Sequence, residues 1–445
     1  MKAIPGLLFF FALLPAFATE VSVSDPETAR KAVRDAKPGD VIVLATGEWK
    51  DADLRLDGEG EAGNPIVVRA EEPGKTVFTG ASRIRIGGDH LVLSGVSLVN
   101  LSGTNTDWLE FRIDSKRRAN HSRVTNCLFT ENSDFAAGES ENRWIGIYGE
   151  ANQIDRCTIE GKKNKGATLV VWLGEEDPGR HRILANLFRD RPRLGKNGGE
   201  TIRIGDSKSS MQKADCVVEG NLFSRCDGET ECISNKSCGN VYRGNWFHET
   251  QGTLTLRHGH DCLVEGNTFI GGTRGQTGGV RVIGRGHKVI WNTFLNLEGD
   301  GFRSALCLVN GIPESPDNGY HQVIGAEIRN NTFSGCRESV VIGYNDVKDA
   351  SLPPKNVVFE GNRIIAKDGR PAVRVETRPE SATWKDNLYR DGGLIGMEEG
   401  DGLKASPFEL APDPELPEMD RFGVTWRLPI KSLPASRSGK SSNHG

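Results

Sequence analysis

The chain has 445 residues, and its 56 Lys and Arg residues against 60 Asp and Glu residues give a net charge of −4. This length is sufficient for a large core and permits more than one domain. A chain with this balance of charges is no polycation, so we expect no nucleic acid partner. An acidic ligand would have to be met by a local basic patch.

Residues 1–18 have the pattern of a secretory signal peptide. One basic residue, Lys2, precedes an apolar run that ends in Ala16-Phe17-Ala18, which is an A-x-A cleavage site. The apolar run is too short to span a bilayer, which argues against a membrane anchor. We therefore expect export to the periplasm or out of the cell, cleavage after Ala18, and no membrane partner.

Residues 24–36, SDPETARKAVRDA, predict a short amphipathic helix. Ser24 and Glu27 have the spacing of a capping box, and apolar residues recur at positions 29, 32, 33 and 36. A helix at this place would cover the first open edge of the repetitive β-structure that the following residues predict.

A motif with the core Asn-x-Phe recurs along the rest of the chain, as in VEGNLF (218–223) and VEGNTF (264–269), with successive steps of 24, 22 and 25 residues in its most regular part. Short β-prone runs with one stacked asparagine per unit are typical of a parallel β-helix, whose turns bury a continuous core by stacking. The LxxLxL pattern of a leucine-rich repeat is absent, and a propeller would have longer units. We therefore predict an all-β, single-domain, right-handed parallel β-helix over residues 19–430, with a capping helix at its start and a disordered tail at 431–445. The repeated positions are Cys127, Cys157, Asn186, Asn221, Asn245, Asn267, Asn292, Asn331, Asn362 and Asn387.

The nine cysteines are an odd number, so at least one has no intramolecular partner. Cys127 and Cys157 occupy adjacent predicted turns and could reach each other, whereas Cys216 and Cys262 lie two turns apart, which is too far for a disulfide. The sequence leaves the pairing open. We expect most of the cysteines to be small buried apolar residues.

Polar residues follow the repeated asparagines at similar offsets in four adjacent turns, so they are expected to line one groove. The stretch GETECISNKS (228–237) has two glutamates, Glu229 and Glu231, whose side chains share one face of a strand. Like charges at this spacing repel each other unless a cation lies between them. An amide oxygen and two carboxylates suit Ca²⁺. Alternatively, neighbouring arginines neutralise the glutamates, or the charges are simply solvated. The predicted groove contains Asn197, Glu229, Glu231, Lys236, Arg257, His258 and Arg281.

A calcium ion, a lysine and arginines in one open groove suggest chemistry on an acidic polysaccharide. Neutralising a uronate carboxylate acidifies the proton on the adjacent carbon, a lysine can remove that proton, and the 4-linked sugar then leaves by β-elimination. A glycosidase would instead need two carboxyl groups that flank the bond and bind no metal.

Four segments resemble the family 6 polysaccharide lyases, which include alginate lyases and chondroitinase B. They are NGGETIRIG (197–205), CDGETECISNKS (226–237), GTLTLRHG (252–259) and GGVRVIGRGH (278–287). The resemblance implies a parallel β-helix lyase with Ca²⁺ as its cofactor.

The resemblance also implies a role for each matching residue. Asn197, Glu229 and Glu231 match calcium ligands, Lys236 the general base and Arg257 the general acid, although a guanidinium hardly ever loses its proton. The uronate would be held by His258 and Arg281, to which we add Tyr344 of IGYND (342–346) as a further substrate-binding candidate.

Alginate is the preferred substrate among the uronate polymers, with dermatan sulfate, the substrate of chondroitinase B, as the alternative. A β-helix that binds acidic glycans without catalysis is an alternative of another class, for which a lysine beside the ion would be unnecessary. The sequence makes no prediction of oligomeric state.

Overall fold

The computed structural model describes residues 18–102, 107–132, 141–345, 347–400 and 402–426. Almost all regular structure in these ranges consists of short strands that pair in parallel with the strand of the next turn, in three sheets of 14 strands each. The sequential turns therefore form a parallel β-helix, and this confirms the predicted fold. The predicted disordered tail at 431–445 and nearly all of the predicted signal peptide lie outside the described residues.

Most turns contribute one strand to each sheet, and we number the sheets 1 to 3. In sheet 3, Leu109–Glu110 and Ala119–Asn120 both pair with Arg83–Asp89. Sheet 1 consists of Glu20–Val23, Val41–Leu44, Ile66–Ala70, Leu91–Ser94, Arg123–Thr125, Gln153–Asp155, Arg182–Leu184, Val217–Glu219, Val241–Arg243, Leu263–Glu265, Lys288–Ile290, Glu327–Arg329, Val357–Glu360 and Ala382–Lys385. Sheet 2 consists of Gly47–Lys50, Thr76–Thr79, Ser97–Val99, Leu128–Thr130, Thr158–Glu160, Leu187–Arg191, Leu222–Cys226, Trp246–His248, Thr268–Ile270, Thr293–Leu295, Thr332–Cys336, Arg363–Ala366, Asn387–Arg390 and Leu403–Ala405. Sheet 3 consists of Asp53–Glu59, Arg83–Asp89, Leu109–Glu110, Ala119–Asn120, Ile145–Ile147, Leu169–Val171, Ile202–Ile204, Glu231–Lys236, Thr253–His258, Val280–Val282, Leu306–Val309, Val340–Tyr344, Pro371–Val375 and Gly393–Ile395.

The recurring asparagines form one continuous hydrogen-bonded ladder between sheets 1 and 2. From Asn186 to Asn362, each side-chain Nδ2 donates to Oδ1 of the asparagine in the next turn at 2.8–3.0 Å. The same Oδ1 also accepts the backbone N–H of the preceding asparagine. Because these groups are buried, the ladder satisfies polar atoms that would otherwise destabilise the turns.

The phenylalanines of the motif stack inside the solenoid beside this ladder. From Phe188 to Phe333, six rings lie nearly parallel with centroid separations of 4.4–5.1 Å. All nine cysteines have free thiols, including Cys127 and Cys157, and eight of them are buried. The apolar core and the ladder thus run along the same axis, and the stability of each turn depends on contacts with the turns on either side.

The predicted capping helix is present and spans Pro26–Asp35. Its buried residues, Ala29 and Val33, join the main core at the start of the solenoid. The predicted N-cap, Ser24, is wrong by one residue: the carboxylate of Asp25 accepts the backbone N–H groups of Glu27 and Thr28. Pro26 explains the difference, because its fixed φ favours the first helical position and makes Asp25 the capping residue. No helix among the described residues is long and apolar enough to cross a membrane.

Two short 3₁₀ helices, Gly301–Arg303 and Met419–Arg421, interrupt the loops. After the last strand, the chain runs back along the outside of the solenoid towards its N-terminal half. Gly423 donates its N–H to the carbonyl of Ala185 at 3.0 Å, and the indole of Trp426 donates to the carbonyl of Asn126 at 3.0 Å. The C-terminal segment therefore ties distant turns together.

Candidate active site

Sheet 3 carries the candidate site on four adjacent strands, which include Glu231–Lys236 and Thr253–His258. The register between these two strands shifts after Glu231 and again before Lys236, so that Lys236 lies opposite His258. Irregularities of this kind change the direction of side chains at the edge of a regular ladder. Above them lies an open cavity of about 490 Å³ that Asn197, Glu229, Glu231, Lys236 and Arg257 line together.

Two loops meet at the floor of this cavity, and glycines allow them to do so. A Cβ atom built on Gly199 would lie 2.3 Å from the carbonyl oxygen of Gly228, and one built on Gly228 would lie 2.0 Å from the carbonyl oxygen of Gly199. Any larger residue at either position would force the loops apart. The two glycines thus bring the segment 197–200 against the segment 228–231.

This contact concentrates oxygen atoms. The carboxylate of Glu229 accepts the backbone N–H groups of Gly198 and Gly199 at 2.8 and 3.2 Å. Burial, and then the charges of Glu200 and Glu231, raise the pKa of Glu229 to about 7. Oε2 of Glu200 is buried and has no hydrogen-bond partner among the described residues. The amide of Asn197 lines the same cavity.

The carboxylates of Glu200, Glu229 and Glu231 and the amide oxygen of Asn197 form a donor set that fits a calcium ion. Calcium binds six to eight oxygen ligands and would remove the repulsion between the glutamates. Arg257 Nε and Arg281 Nη1 lie 4.0 and 3.9 Å from Oε1 of Glu231, at the outer limit of an ion pair, and also offset part of its charge. Neutralisation of Glu231 by the two arginines therefore stays an alternative to a bound ion.

A tyrosine orients the two arginines. The hydroxyl of Tyr320 accepts a hydrogen bond from Arg281 Nη2 at 2.8 Å, and the guanidinium of Arg257 lies 4.2 Å from the centre of the Tyr320 ring. Arg257 also donates to the carbonyl of Gly319 at 3.3 Å. A cation over an aromatic face is stabilised by the ring quadrupole, so Tyr320 fixes both guanidinium groups on one wall.

His258 is buried behind Lys236. Its Nδ1 lies 3.0 Å from the hydroxyl of Ser210. Burial, and then the charges of Arg257 and Lys236, lower the pKa of His258 to about 3. The imidazole is therefore neutral at physiological pH, and His258 lies opposite Lys236 on the neighbouring strand.

Tyr344 does not line the cavity. It packs against Phe302 at a centroid distance of 6.4 Å, within a small cluster that includes Cys307 and Val309. Because Phe302 contacts Arg281 through a cation–π interaction at 5.3 Å, Tyr344 lies one layer of side chains away from the predicted groove. Its role as a substrate contact stays a prediction.

Sequence reasoning missed several residues that the structure places at the site, among them Glu200, Tyr320 and Arg303. Glu200 follows Asn197 by three residues, and this spacing within one loop could have identified it. Tyr320 and Arg303 lie outside the strands, so no offset from a repeated asparagine places them.

Residues 23–382 match the family model for chondroitinase B. A comparison with curated protein sequences found no match. Among solved structures, a family 6 alginate lyase, AlyGC, is 35% identical with a TM-score of 0.84, and the alignment covers 94% of this chain and 59% of that chain. This chain thus spans less than two thirds of the length of AlyGC.

A second similar structure is a mannuronic acid specific family 6 lyase from human gut microbiota, which is 29% identical with a TM-score of 0.78 over 92% of this chain and 97% of that chain. A family 6 lyase from Pseudopedobacter saltans is 23% identical with a TM-score of 0.75 over 92% and 100%, respectively, and shares the fold. Because the family model covers most of the chain, and the cavity lies within the matched residues, this chain belongs to family 6 of the polysaccharide lyases.

Proposed function

We propose that the protein is a calcium-dependent lyase that cleaves alginate by β-elimination and leaves unsaturated uronate ends. The observation that carries this proposal is the presence, in one open cavity, of the oxygen cluster, Lys236 and Arg257. A protein that only binds acidic glycans would need the cations, but it would not need a lysine beside a set of metal ligands.

Asn197, Glu229, Glu231 and the additional Glu200 would hold the calcium ion. When bound, the ion supplies positive charge that neutralises a substrate carboxylate and so acidifies the adjacent C–H bond. The protein itself must then hold the sugar, remove the proton and assist the leaving oxygen.

Lys236 is the residue placed to remove the proton. It ends the strand that Glu231 begins, and both residues line the cavity. In its neutral form, the amine takes the proton from C5 of the uronate, the C4–O bond breaks, and the electron pair of the C–H bond forms the C4=C5 double bond. The leaving oxygen gains negative charge and must be stabilised.

Arg257 stands on the next strand and would donate a hydrogen bond to that oxygen. Its guanidinium is held by Gly319 and Tyr320, so the donor is oriented before the substrate binds. Water can then deliver the proton to the leaving sugar, since the guanidinium keeps its own. Arg281 would bind the uronate carboxylate, and neutral His258 would support this wall; Tyr344 could contact only a more distant part of the substrate.

The choice of alginate rests on the similar proteins. The structure at 35% identity is an alginate lyase, and that at 29% is specific for mannuronic acid. The chondroitinase B family model favours a second candidate, which is cleavage of dermatan sulfate. We also propose that the protein acts after export, in the periplasm or outside the cell, because a large polysaccharide is met there.

The test is to incubate the purified protein with alginate, dermatan sulfate and pectate, each with calcium and with a chelator, and to follow the ultraviolet absorbance of the unsaturated uronate. We expect a calcium-dependent rise with alginate. A rise with dermatan sulfate alone would transfer the proposal to the second candidate, and no rise with any substrate would contradict it.

Lys236→Ala tests the base. We expect loss of turnover with unchanged calcium binding, measured by calorimetry. The matched control is Lys213→Ala, since Lys213 is an exposed lysine that pairs with Asp215 outside the cavity lining. Near-normal turnover in Lys236→Ala would refute its assignment as the base.

A further inference from the structure

A second cluster of ligand-type side chains lies at a corner of the solenoid between sheets 3 and 1. His90 follows the strand Arg83–Asp89, and His121 follows the strand Ala119–Asn120 of a neighbouring turn. These strands pair so that Asn120 lies opposite Asp89. The two histidines therefore stack one above the other, with the carboxylate of Asp89 beside them.

The distances within this cluster are short. Oδ1 of Asp89 lies 3.0 Å from Nδ1 of His121 and 3.4 Å from Nε2 of His90. One ligand atom from each residue falls within 4.8 Å of the other two. Tetrahedral coordination with bonds of about 2.0–2.1 Å separates ligand atoms by roughly 3.3 Å, so both measured contacts are near the separation that a bound ion requires.

The fold does not explain why histidines occupy this corner. His90 and His121 have φ values of 48° and 47°, and the backbone needs this left-handed conformation at each turn. The corresponding residues of the next turns are Ala151 and Arg180, with φ values of 52° and 58°. Since the corner accepts such different side chains, two adjacent histidines are not a demand of the backbone.

Asp89 adds a second unexplained feature. Within the described ranges, its carboxylate has no lysine or arginine at ion-pair distance, and its two ion-pair contacts are with the histidines. No lysine or arginine of the described ranges therefore offsets the negative charge of this carboxylate. A cation bound between the three side chains would cancel it.

We propose that Asp89, His90 and His121 form a binding site for a divalent transition-metal ion, with zinc as the favoured ion and water completing the coordination. Two imidazoles and one carboxylate are a common zinc donor set with an open fourth position, whereas calcium prefers oxygen ligands alone. The two rings are now nearly parallel, at 15° and a centroid distance of 4.9 Å. One ring must therefore turn about its Cβ–Cγ bond, and the side chain of His121, which is 45% exposed, is at the surface where it can do so.

The site is separate from the candidate active site. The strand Arg83–Asp89 and the strand Glu231–Lys236 are five steps apart in sheet 3, which corresponds to about 24 Å at the usual strand spacing. Because its ligands belong to different turns, the ion would cross-link two turns in the N-terminal part of the solenoid. It stabilises this end of the solenoid and takes no part in cleavage.

The experiment uses tag-free, full-length protein saturated with calcium, titrated with zinc by calorimetry and with cobalt by visible absorbance. We expect one zinc ion per chain, a tetrahedral cobalt spectrum, and at least tenfold weaker binding in His90→Ala and His121→Ala. His248→Ala is the matched control, because His248 lies on a strand of sheet 2 and contacts Ser224 instead.

Asp89→Asn provides a variant of nearly unchanged shape if a histidine variant fails to fold, and it should also weaken binding at least tenfold. Lyase activity on uronate polymers should be the same in all four variants, so the result is independent of the proposed function. Absence of zinc binding, or binding that the three cluster variants leave unchanged, would overturn the proposal.

Discussion

Replacing one asparagine in the middle of the ladder tests the physical basis of the fold. Asn267 is fully buried and makes four side-chain hydrogen bonds: Oδ1 accepts from the backbone N–H and Nδ2 of Asn245, and Nδ2 donates to the carbonyl of Tyr242 and to Oδ1 of Asn292, all at 2.9–3.0 Å. Asn267→Ala removes all four bonds without inserting a bulky group.

The expected cost follows from what is left behind. A hydrogen bond contributes about 1 kcal/mol net, and a buried donor that loses its acceptor costs about 1–3 kcal/mol. Two donors of Asn245 lose their acceptor, while the carbonyl of Tyr242 and Oδ1 of Asn292 lose a donor. We therefore expect Asn267→Ala to lower the free energy of unfolding by about 4 kcal/mol.

Urea denaturation, followed by tryptophan fluorescence, measures this loss. Asn132→Ala is the control, because Asn132 is exposed and its side chain makes no hydrogen bond to a described residue. The control should stay within about 0.5 kcal/mol of the wild type. A loss below about 1 kcal/mol in Asn267→Ala would refute the reasoning and show that the phenylalanine stack and the sheets hold the turns without the ladder.

Three other predictions concern the site and the buried histidines. Glu200→Gln should weaken calcium binding at least tenfold, measured by calorimetry; unchanged affinity would remove Glu200 from the donor set. Tyr320→Phe removes the hydroxyl that Arg281 binds but keeps the ring, so kcat/KM on alginate should fall roughly tenfold, as for a charged hydrogen bond of about 1.5 kcal/mol; an unchanged value would show that the ring alone orients the arginines. Burial lowers the pKa of His181 to about 3 and of His287 to about 4, from 6.5. Between these pKa values only the unfolded chain binds the two protons. The histidines therefore make their full contribution to the free energy of unfolding above pH 6.5, and the free energy falls by about 3 kcal/mol per pH unit for the pair as the pH drops towards 4. Denaturation at several pH values should show a shallower slope in His181→Asn, and an equal slope would contradict this.

The sequence predicts the fold because one physical feature repeats. Asn221, Asn245 and Asn267 each occupy the same corner, and the asparagine of the next turn supplies an acceptor for each buried Nδ2. The same regularity explains why the cavity contains Asn197 and Glu229 together with Lys236. Residues on adjacent rungs of one sheet must be neighbours.

The parts that could not be predicted lie off the ladder. Tyr320 belongs to a long loop between Leu306–Val309 and Glu327–Arg329, and only the tertiary structure shows that the loop folds over the arginines. Tyr344, in contrast, lies on a strand of sheet 3, but the intervening 3₁₀ helix Gly301–Arg303 separates it from the cavity. The position of a residue in the repeat therefore predicts the sheet to which it belongs, but it does not predict which loops cover that residue.

The arrangement around Glu231 shows how a loop outside the sheets positions two arginines beside a carboxylate. Adjacent turns can form close ion pairs, as Arg123 and Asp155 do at 2.6 Å. At the site, however, both Arg257 and Arg281 lie near 4 Å from Glu231. Arg257 donates a hydrogen bond to the carbonyl of Gly319, and Arg281 donates one to the hydroxyl of Tyr320. At this separation the opposite charges still attract. The loop that carries Gly319 and Tyr320 therefore positions both guanidinium groups beside the carboxylate of Glu231.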